Sequence, residues 1–466
     1  MRSLSLPAAD FRALAHRLSD FTADYLEKLP GLPSYPPGIS GEQTGQLFTG
    51  KLPQDGLGSA AFDDLPRVFE FARPSSPRFF GYVFGSGEPV AALGDFAAAV
   101  LNQNATAWRS APAGVTIERT VIGWLAEALG CAGFSGSLTL GGSSANLMAL
   151  CMAREARAPA NQAGVRGGTL YCSTEAHMSI AKAAALLGLG HNAVRLIPVD
   201  DKFRMRADEL RAAIGRDLES GQTPIAIVAS AGTTATGSID PLESIADLCD
   251  EFGLWMHVDG AYGALAALAI PDAFRGMNRA HSLSLDPHKW LYQPAGVGCL
   301  LYRDPADARR AFSHTADYAR SLTSDPVEGF AFFEESMELS RPLRALKLWL
   351  SLRYFGLRAF EQSIAEDLNL AQVLASAIDA EPQLERLAPV ALSAVCFRYT
   401  ASRRDLDALN RAILTRVTQR GHVYLSNAMV QGQFTLRACI VNHRTTEDDV
   451  RTVVSEVLAA AGEVSA

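Results

Sequence analysis

One segment of the sequence carries a lysine in a setting that could make it a nucleophile. Lys289 lies between His288 and Trp290 in the run Asp286-Pro287-His288-Lys289-Trp290. Positive charge and apolar surface around an amine lower its pKa, and the freed lone pair can attack an aldehyde to form a Schiff base. Taken alone, a lysine after a proline turn is more often an ordinary surface residue.

Two other segments offer a carboxylate and an anion-binding turn. Asp259 follows the apolar run 254–258, and Gly142 with Ser143 opens a helical pattern after the run 137–140. Small residues at a helix N-terminus expose backbone N–H groups that can hold a phosphate. Gly-Gly-Ser is also common in plain strand-to-helix turns, and neither a Walker pattern nor a dinucleotide fingerprint accompanies it.

The combination of these three features favours one cofactor. Pyridoxal 5'-phosphate (PLP) needs an anchor for its phosphate, a carboxylate that keeps its pyridine nitrogen protonated, and a lysine for its aldehyde. The phosphate could be anchored by Gly142 with Ser143. The carboxylate could come from Asp259, and the lysine could be Lys289. The sequence therefore predicts a PLP site, which lies at the carboxyl ends of strands in open α/β folds.

Short apolar runs must position these residues. Runs that are apolar on both faces alternate with Ala- and Leu-rich helical stretches between about residues 91 and 310, which predicts a mostly parallel central sheet. We place strands at 137–140, 169–172, 193–197, 225–229, 254–258, 282–285 and 298–302. The predicted organisation is an N-terminal helical arm (1–90), a large PLP-binding α/β domain (91–345) and a small α+β C-terminal domain (346–466) with strands at 394–399 and 434–440.

Composition and charge exclude several classes of function. The 466 residues are 48% hydrophobic and 20% charged, as in globular proteins. A net charge of −8 removes the usual electrostatic reason to expect nucleic acid or a membrane as a partner. Seven scattered cysteines without CxxC spacing predict reduced thiols and no metal site. The first residues contain no long apolar run, so we expect a cytoplasmic protein.

The segments HVDGAYG (257–263) and SLDPHKW (284–290) resemble those of the group II PLP-dependent amino-acid decarboxylases. Further similarity lies in PRFFGY (77–82), SAGTTATGSIDPL (230–242) and LRACIVN (436–442), and it is greatest to the aromatic-L-amino-acid decarboxylases. The resemblance implies the aspartate-aminotransferase-like fold (PLP fold type I). It also implies a homodimer with active sites at the interface, in which the arm belongs to the partner's surface.

The resemblance also implies roles for individual residues. Lys289 would bind the cofactor aldehyde, Asp259 the pyridine nitrogen, and His177 one face of the ring, where it can handle protons. Arg437 would receive the substrate α-carboxylate, for which a guanidinium fork is suited. The other cofactor and substrate contacts implied in this way are Gly142, Ser143, Thr234, Ala261, Ser282, His288 and Tyr82.

Two positions depart from the family pattern. Many members have Asn in place of Asp286, and an additional carboxylate would repel a phosphate unless His288 or a shared proton offsets it. In the family a loop tyrosine protonates the carbon left after CO2 loss, and that position falls on Phe332 here, with Tyr318 as the nearest tyrosine.

The expected reaction is decarboxylation of an L-amino acid to the amine and CO2. The aromatic residues of the segment 79–82 and Trp108 favour an aromatic substrate, although these rings could equally be interface packing. A competing hypothesis is decarboxylation with oxidative deamination to an aldehyde, because Phe332 lacks the tyrosine hydroxyl. The sequence is also compatible with decarboxylation of a non-aromatic amino acid, with a transaminase and with a catalytically silent scaffold.

Overall fold

The computed structural model describes residues 4–36, 38–314, 323, 325–401 and 405–465. Its fifteen α-helices, numbered in chain order, are α1 Ala8–Lys28, α2 Gly41–Phe48, α3 Leu65–Phe71, α4 Pro89–Leu101, α5 Pro112–Ala128, α6 Gly142–Arg157, α7 Ser179–Leu186, α8 Ala207–Glu219, α9 Leu242–Phe252, α10 Pro287–Trp290, α11 Pro305–Phe312, α12 Ala345–Phe355, α13 Leu357–Asp379, α14 Leu406–Arg420 and α15 Glu447–Ser465. Its eleven strands are β1 Ser135–Thr139, β2 Thr169–Ser173, β3 Val194–Ile197, β4 Pro224–Ser230, β5 Trp255–Asp259, β6 Ser282–Leu285, β7 Gly298–Tyr302, β8 Leu384–Arg386, β9 Ala394–Tyr399, β10 Ser426–Val430 and β11 Gln433–Cys439.

The large sheet has seven strands in the order β1-β7-β6-β5-β4-β2-β3. Strands β2 to β6 pair in parallel, and β7 runs antiparallel to both β1 and β6. Strands β4 to β7 are buried along their whole length, since helices cover both faces of the sheet. The predicted mostly parallel sheet is therefore confirmed, and its apolar runs are the seven predicted strands.

The C-terminal region forms a separate antiparallel sheet in the order β10-β11-β9-β8. Helices α13, α14 and α15 pack on it and close a second apolar core that includes Phe397, Leu436 and Val453. Phe80 belongs to this second core, and Phe79 pairs with Tyr424 in a parallel bridge. The N-terminal segment thus attaches to the small domain before α4 begins.

The predicted domain boundaries near residues 90 and 345 fall close to changes of packing, and the division itself stays a prediction. Helix α12 packs against α4 and α5, beside the large sheet. Gly356, with φ +75°, ends α12 and α13 follows at once, so the helical region between β7 and the small sheet contains two consecutive helices rather than one long helix. Helix α1 has no buried residue.

The register of the large sheet brings chemically useful residues to one edge. Ser230 at the end of β4 pairs with Asp259 at the end of β5, and Asp259 pairs with Ser284 in β6. Helix α6 begins directly after β1, and α10 directly after β6. Carboxyl ends of parallel strands share one edge, so that edge is where a ligand would bind.

Candidate active site

A cavity of about 680 Å³ opens at this edge, between the large sheet and the small domain. It contains ten of the eleven residues that the sequence predicted for the site. Those ten are Tyr82, Gly142, Ser143, His177, Thr234, Asp259, Ala261, His288, Lys289 and Arg437. Cavities of this size hold a cofactor with a small substrate.

Lys289 is positioned by the short helix α10, which starts at the carboxyl end of β6. Its Nζ lies 3.0 Å from Oδ2 of Asp286, and both side chains are largely buried. The Nδ1 of His288 donates to the carbonyl of Val297 at 2.8 Å, which leaves its Nε2 facing Asp286 at 3.7 Å. Asp286 Oδ1 has no hydrogen-bond partner. Two cationic or basic groups therefore face the additional carboxylate from one side.

The turn from β1 into α6 packs so closely against Ala261 and Asp286 that a side chain does not fit at Gly142. A Cβ on Gly142 would lie 2.6 Å from Cβ of Ala261 and 3.1 Å from Oδ2 of Asp286. Gly141, with φ +154°, precedes the first turn of α6, where backbone N–H groups are unpaired. With Ser143 beside it, this turn has the geometry of a phosphate cradle.

Asp259 ends β5 as a buried carboxylate with three hydrogen-bond donors. Its Oδ2 accepts from Nδ2 of Asn146 at 2.9 Å. Its Oδ1 accepts from the hydroxyl of Ser284 at 3.2 Å and from the backbone N–H of Ala261 at 3.3 Å. A carboxylate that such donors hold in place can bind a protonated ring nitrogen.

His177 lies in the turn between β2 and α7 and lines the same cavity. The backbone N–H of Ser179 donates to its Nδ1 at 3.3 Å, and the Ser179 hydroxyl lies 2.8 Å from the same nitrogen. Because Nδ1 accepts, Nε2 carries the proton of the neutral ring and is available to the cavity.

Arg437 projects from β11 and has one nitrogen without a partner. Its Nε donates to the carbonyl of Ala235, and its Nη1 donates to the carbonyl of Tyr82, each at 3.0 Å. The side chain is 3% exposed and Nη2 has no hydrogen-bond partner. Tyr82 adopts φ +60°, and Ser426 accepts its backbone N–H at 3.3 Å. A buried, unpaired guanidinium nitrogen in a cavity is suited to bind a carboxylate.

Ser282 is the one predicted site residue that the structure does not bring to the cavity. It begins β6 at the end opposite to Lys289, and its hydroxyl accepts from Nε1 of Trp255 at 2.9 Å. Three strand steps from Ser282 to Leu285 span roughly 10 Å. The prediction that Ser282 contacts the phosphate is therefore corrected.

The structure also places Phe332 away from the cavity. Its ring is fully buried in the core beside the large sheet, with the guanidinium carbon of Arg341 4.2 Å from the ring centroid. Its backbone N–H donates to the carbonyl of Thr106 at 2.7 Å. Tyr318 lies outside the described residues. The argument for an aldehyde product based on Phe332 thus has no support from its position.

Two residues near Asp259 were missed or undervalued by sequence reasoning. Asn146, which contacts Asp259, was given no role from the sequence, although it lies one helical turn after Gly142. His257, which was also given no role from the sequence, precedes Asp259 by two residues and so lies on the same face of β5. The helical periodicity of α6 and the alternation of side chains along β5 were the signals that could have identified Asn146 and His257.

Comparisons with known proteins decide the family. Residues 67–400 match the pyridoxal-dependent decarboxylase conserved domain. The chain belongs to this family. The decarboxylase is 32% identical to the aromatic-L-amino-acid decarboxylase of Bacillus atrophaeus over 99% of its own length and 98% of the relative's. It is 33% identical to the L-2,4-diaminobutyrate decarboxylase of Rhizobium meliloti, over 89% and 83% of the two chains.

Solved structures with the same fold are also similar to the decarboxylase. TDC of Oryza sativa, solved with PLP and tryptamine, has a TM-score of 0.92 at 26% identity over 99% of each chain. Tryptophan decarboxylase of Catharanthus roseus with L-tryptophan has a TM-score of 0.90 at 27% identity, over 98% and 99%. Rhodiola rosea 4-hydroxyphenylacetaldehyde synthase has a TM-score of 0.88 at 26% identity, over 98% and 99%.

The chain is therefore a PLP-dependent amino-acid decarboxylase of fold type I, which makes it a carboxy-lyase. Its cavity fits the cofactor, because the small residues Gly142 and Ser143 open α6 there and Asp259 and Lys289 line the same cavity. In the part of the chain that the structure describes, no helix is both long and apolar enough to cross a membrane.

Proposed function

We propose that this decarboxylase acts on an aromatic L-amino acid and releases the amine and CO2. The observation that carries the proposal is the set of charges in the cavity. Asp259 and Asp286 are the two carboxylates among the described lining residues, and both already have partners in Asn146 and Lys289. Asp259 would face the cofactor ring nitrogen and Asp286 lies beside Lys289 and the glycine turn, so a cationic substrate side chain would find no counter-charge outside the cofactor's own contacts, and its desolvation would be costly.

Apolar side chains at the cavity support the same substrate class. Val83, Leu140 and Met178 line the cavity together with the ring of Tyr82. Leu140 and Met178 are exposed in the isolated chain, so their surface is free to contact a ligand. An aromatic ring that covers them would remove apolar area from water, which favours binding by about 25 cal/mol per Å².

Arg437 is proposed to fix the substrate by its α-carboxylate. Its Nε and Nη1 are held by the carbonyls of Ala235 and Tyr82, so Nη2 points from a rigid fork. A charge-assisted hydrogen bond from Nη2 would orient the carboxylate that is lost. Tyr82 would help to bind the substrate in two ways, because its carbonyl holds Arg437 and its ring lines the cavity.

The other residues are proposed to hold charges and protons. PLP, when bound, supplies an aldehyde for the substrate amine and a ring that accepts the electron pair of the broken Cα–carboxylate bond. Lys289 would hold the aldehyde, Asp259 would hold a proton on the ring nitrogen, and Nε2 of His177 would handle a proton at the substrate. Gly142, Ser143 and His288 hold the phosphate, while Ala261 and Thr234 contact the ring.

A homodimer is part of this proposal. The exposed face of α1 and α4 carries the large apolar side chains Phe11, Leu93, Phe96, Val100 and Leu101. Such a surface favours burial against a second copy. All seven cysteines are free thiols, which supports the cytoplasm as the compartment. Light scattering of the purified protein measures the assembly directly, and a monomer at micromolar concentration would contradict it.

Product analysis tests the proposed reaction. The purified enzyme with added PLP is incubated with tryptophan, tyrosine, phenylalanine and dopa, and CO2, amine, aldehyde and hydrogen peroxide are measured. We expect one amine for each CO2. Aldehyde and peroxide equal to the CO2 released would establish oxidative deamination instead, and turnover that needs an added 2-keto acid would establish a transaminase.

A further inference from the structure

A chain of buried hydrogen bonds runs from Asp259 and Asn146, which both line the cavity, into the large sheet. Nδ2 of Asn146 lies 2.9 Å from Oδ2 of Asp259, and Oδ1 of Asn146 lies 2.9 Å from Nε2 of His257. Nδ1 of His257 lies 2.9 Å from the hydroxyl of Ser282, which accepts from Nε1 of Trp255 at 2.9 Å. All five residues are buried.

The chemistry of the groups fixes the direction of every bond. A carboxylate only accepts, so the amide nitrogen of Asn146 faces Asp259 and its oxygen faces His257. An amide oxygen only accepts, so Nε2 of His257 carries hydrogen. Burial lowers the pKa of His257 to about 4, so its ring is neutral near pH 7 and Nδ1 accepts from the Ser282 hydroxyl. Each donor therefore points towards Asp259.

Asn146 also reaches the second proposed functional group. Its Nδ2 lies 3.0 Å from the hydroxyl of Ser179, which lies 2.8 Å from Nδ1 of His177. One amide nitrogen thus serves Asp259 with one hydrogen and the Ser179 branch with the other. The amide has no spare donor, and a flip would turn its oxygen towards the carboxylate.

We propose that Asn146 is a positioning residue that orients Asp259 and His177 together, with its own orientation fixed by His257 and Ser282. The inference rests on the proposed role of Asp259 at the cofactor ring nitrogen. It gives Ser282 a different task from the phosphate contact that the sequence predicted. Asn146 touches neither substrate nor reacting atoms in this role and acts through Asp259.

The test is a double-mutant cycle on PLP affinity. Asn146→Leu keeps a similar volume and removes both donors. Binding of PLP to the full chain is measured by quenching of tryptophan fluorescence in wild type, Asn146→Leu, Asp259→Asn and the double variant. We expect Asn146→Leu to weaken binding about tenfold or more alone, but less than about threefold when Asp259 is already Asn. Met148→Leu, in the same helix, is the packing control.

A spectroscopic readout separates positioning from packing. The pH at which the visible absorption band of the bound cofactor changes depends on the positive charge held on its ring. We expect that pH to rise in Asn146→Leu and in Asp259→Asn, because less positive charge is then held nearby, and to stay unchanged in Met148→Leu. If Asn146→Leu does not fold, as judged by circular dichroism, Asn146→Ala enters the same cycle.

The outcomes distinguish the inference from the proposed function. Equal losses from Asn146→Leu in both backgrounds, or an unmoved absorption profile, overturn the positioning role while the proposed reaction stands. If Asp259→Asn itself binds PLP as tightly as wild type, the role of Asp259 is wrong and the inference falls with it.

Discussion

Nζ of Lys289 lies 3.0 Å from Oδ2 of Asp286, so the lysine that would bind the cofactor is paired with a buried carboxylate. The same carboxylate borders the glycine turn, since a Cβ on Gly142 would lie 3.1 Å from Oδ2. Asp286 therefore lies beside both the lysine and the glycine turn of the proposed site. It pairs with the amine of Lys289, and it places a carboxylate beside the proposed phosphate cradle.

Replacing this carboxylate with an amide tests both effects. We expect Asp286→Asn to bind PLP about three- to tenfold more tightly at pH 7, because the phosphate would meet less negative charge and Lys289 would lose the ion pair that competes with the aldehyde. Titration of protein fluorescence with PLP measures the affinity. Asp307→Asn, which removes a carboxylate paired with Arg310 on the surface, is the control. Weaker binding by Asp286→Asn would show that the carboxylate assists the cofactor.

The glycine turn gives a steric prediction. In Gly142→Ala the new Cβ would lie 2.6 Å from Cβ of Ala261, so we expect PLP affinity to fall at least tenfold without loss of the fold. Gly123→Ala is the matched control, because its Cβ meets nothing within 4 Å in α5 and should add about 0.5–1 kcal/mol of stability. Equal PLP affinity in the two variants would remove Gly142 from the cradle.

Arg437 gives a prediction about substrate rather than cofactor. Arg437→Lys loses the fork held by the carbonyls of Ala235 and Tyr82, so we expect KM for the amino acid to rise about a hundredfold while PLP still binds. Steady-state kinetics with PLP titration measure both. Arg398→Lys in β9, which pairs with Glu385 away from the cavity, should keep the wild-type KM. An unchanged KM in Arg437→Lys would contradict the carboxylate role.

Asp367 gives a prediction about stability and pH. Burial raises its pKa to about 7, although the hydroxyl of Tyr292 and the backbone N–H of Asn442 donate to it. A raised pKa means that its contribution to stability is complete below about pH 4 and is lost as pH rises through about 7. The stability of Asp367→Asn relative to wild type should therefore increase by about 2 kcal/mol between pH 5 and pH 7. Urea unfolding at each pH measures the difference.

The control for that prediction is Asp379→Asn, since Asp379 lies at the surface and pairs with Arg386. The difference in the free energy of unfolding between Asp379→Asn and wild type should stay nearly constant between pH 5 and pH 7. Parallel pH profiles for Asp367→Asn and wild type would mean that Asp367 is charged in the folded protein throughout.

The sequence predicted the large sheet because its strands are buried on both faces and read as continuous apolar runs. It missed β8 and β10, where exposed and buried residues alternate in short segments such as Ser426–Val430. The pattern of a short alternating run is similar to that of a loop. Whether such a run forms a strand depends on its pairing with a neighbour such as β11 in the folded protein. The break between α12 and α13 depends on the left-handed conformation of Gly356, which composition alone does not show.

Within the site, the sequence predicted residues that follow the carboxyl end of a strand. Lys289, Asp259 and Gly142 obey that rule, and the structure brings them to one cavity. Ser282 does not, because it opens its strand. The partners behind Asp259 could not be predicted, since the contact between Asn146 and Asp259 joins residues 113 positions apart. Phe332 was placed by counting along the chain, which cannot show that its ring is buried.

The substrate preference of the wild-type enzyme tests the proposed function most directly. Release of CO2 is measured with L-tryptophan and with L-2,4-diaminobutyrate at equal concentration and saturating PLP. Because both carboxylates among the described cavity residues lie at the proposed cofactor contacts, we predict that kcat/KM for tryptophan exceeds that for diaminobutyrate at least a hundredfold. Equal values, or a preference for diaminobutyrate, would contradict the proposed aromatic substrate.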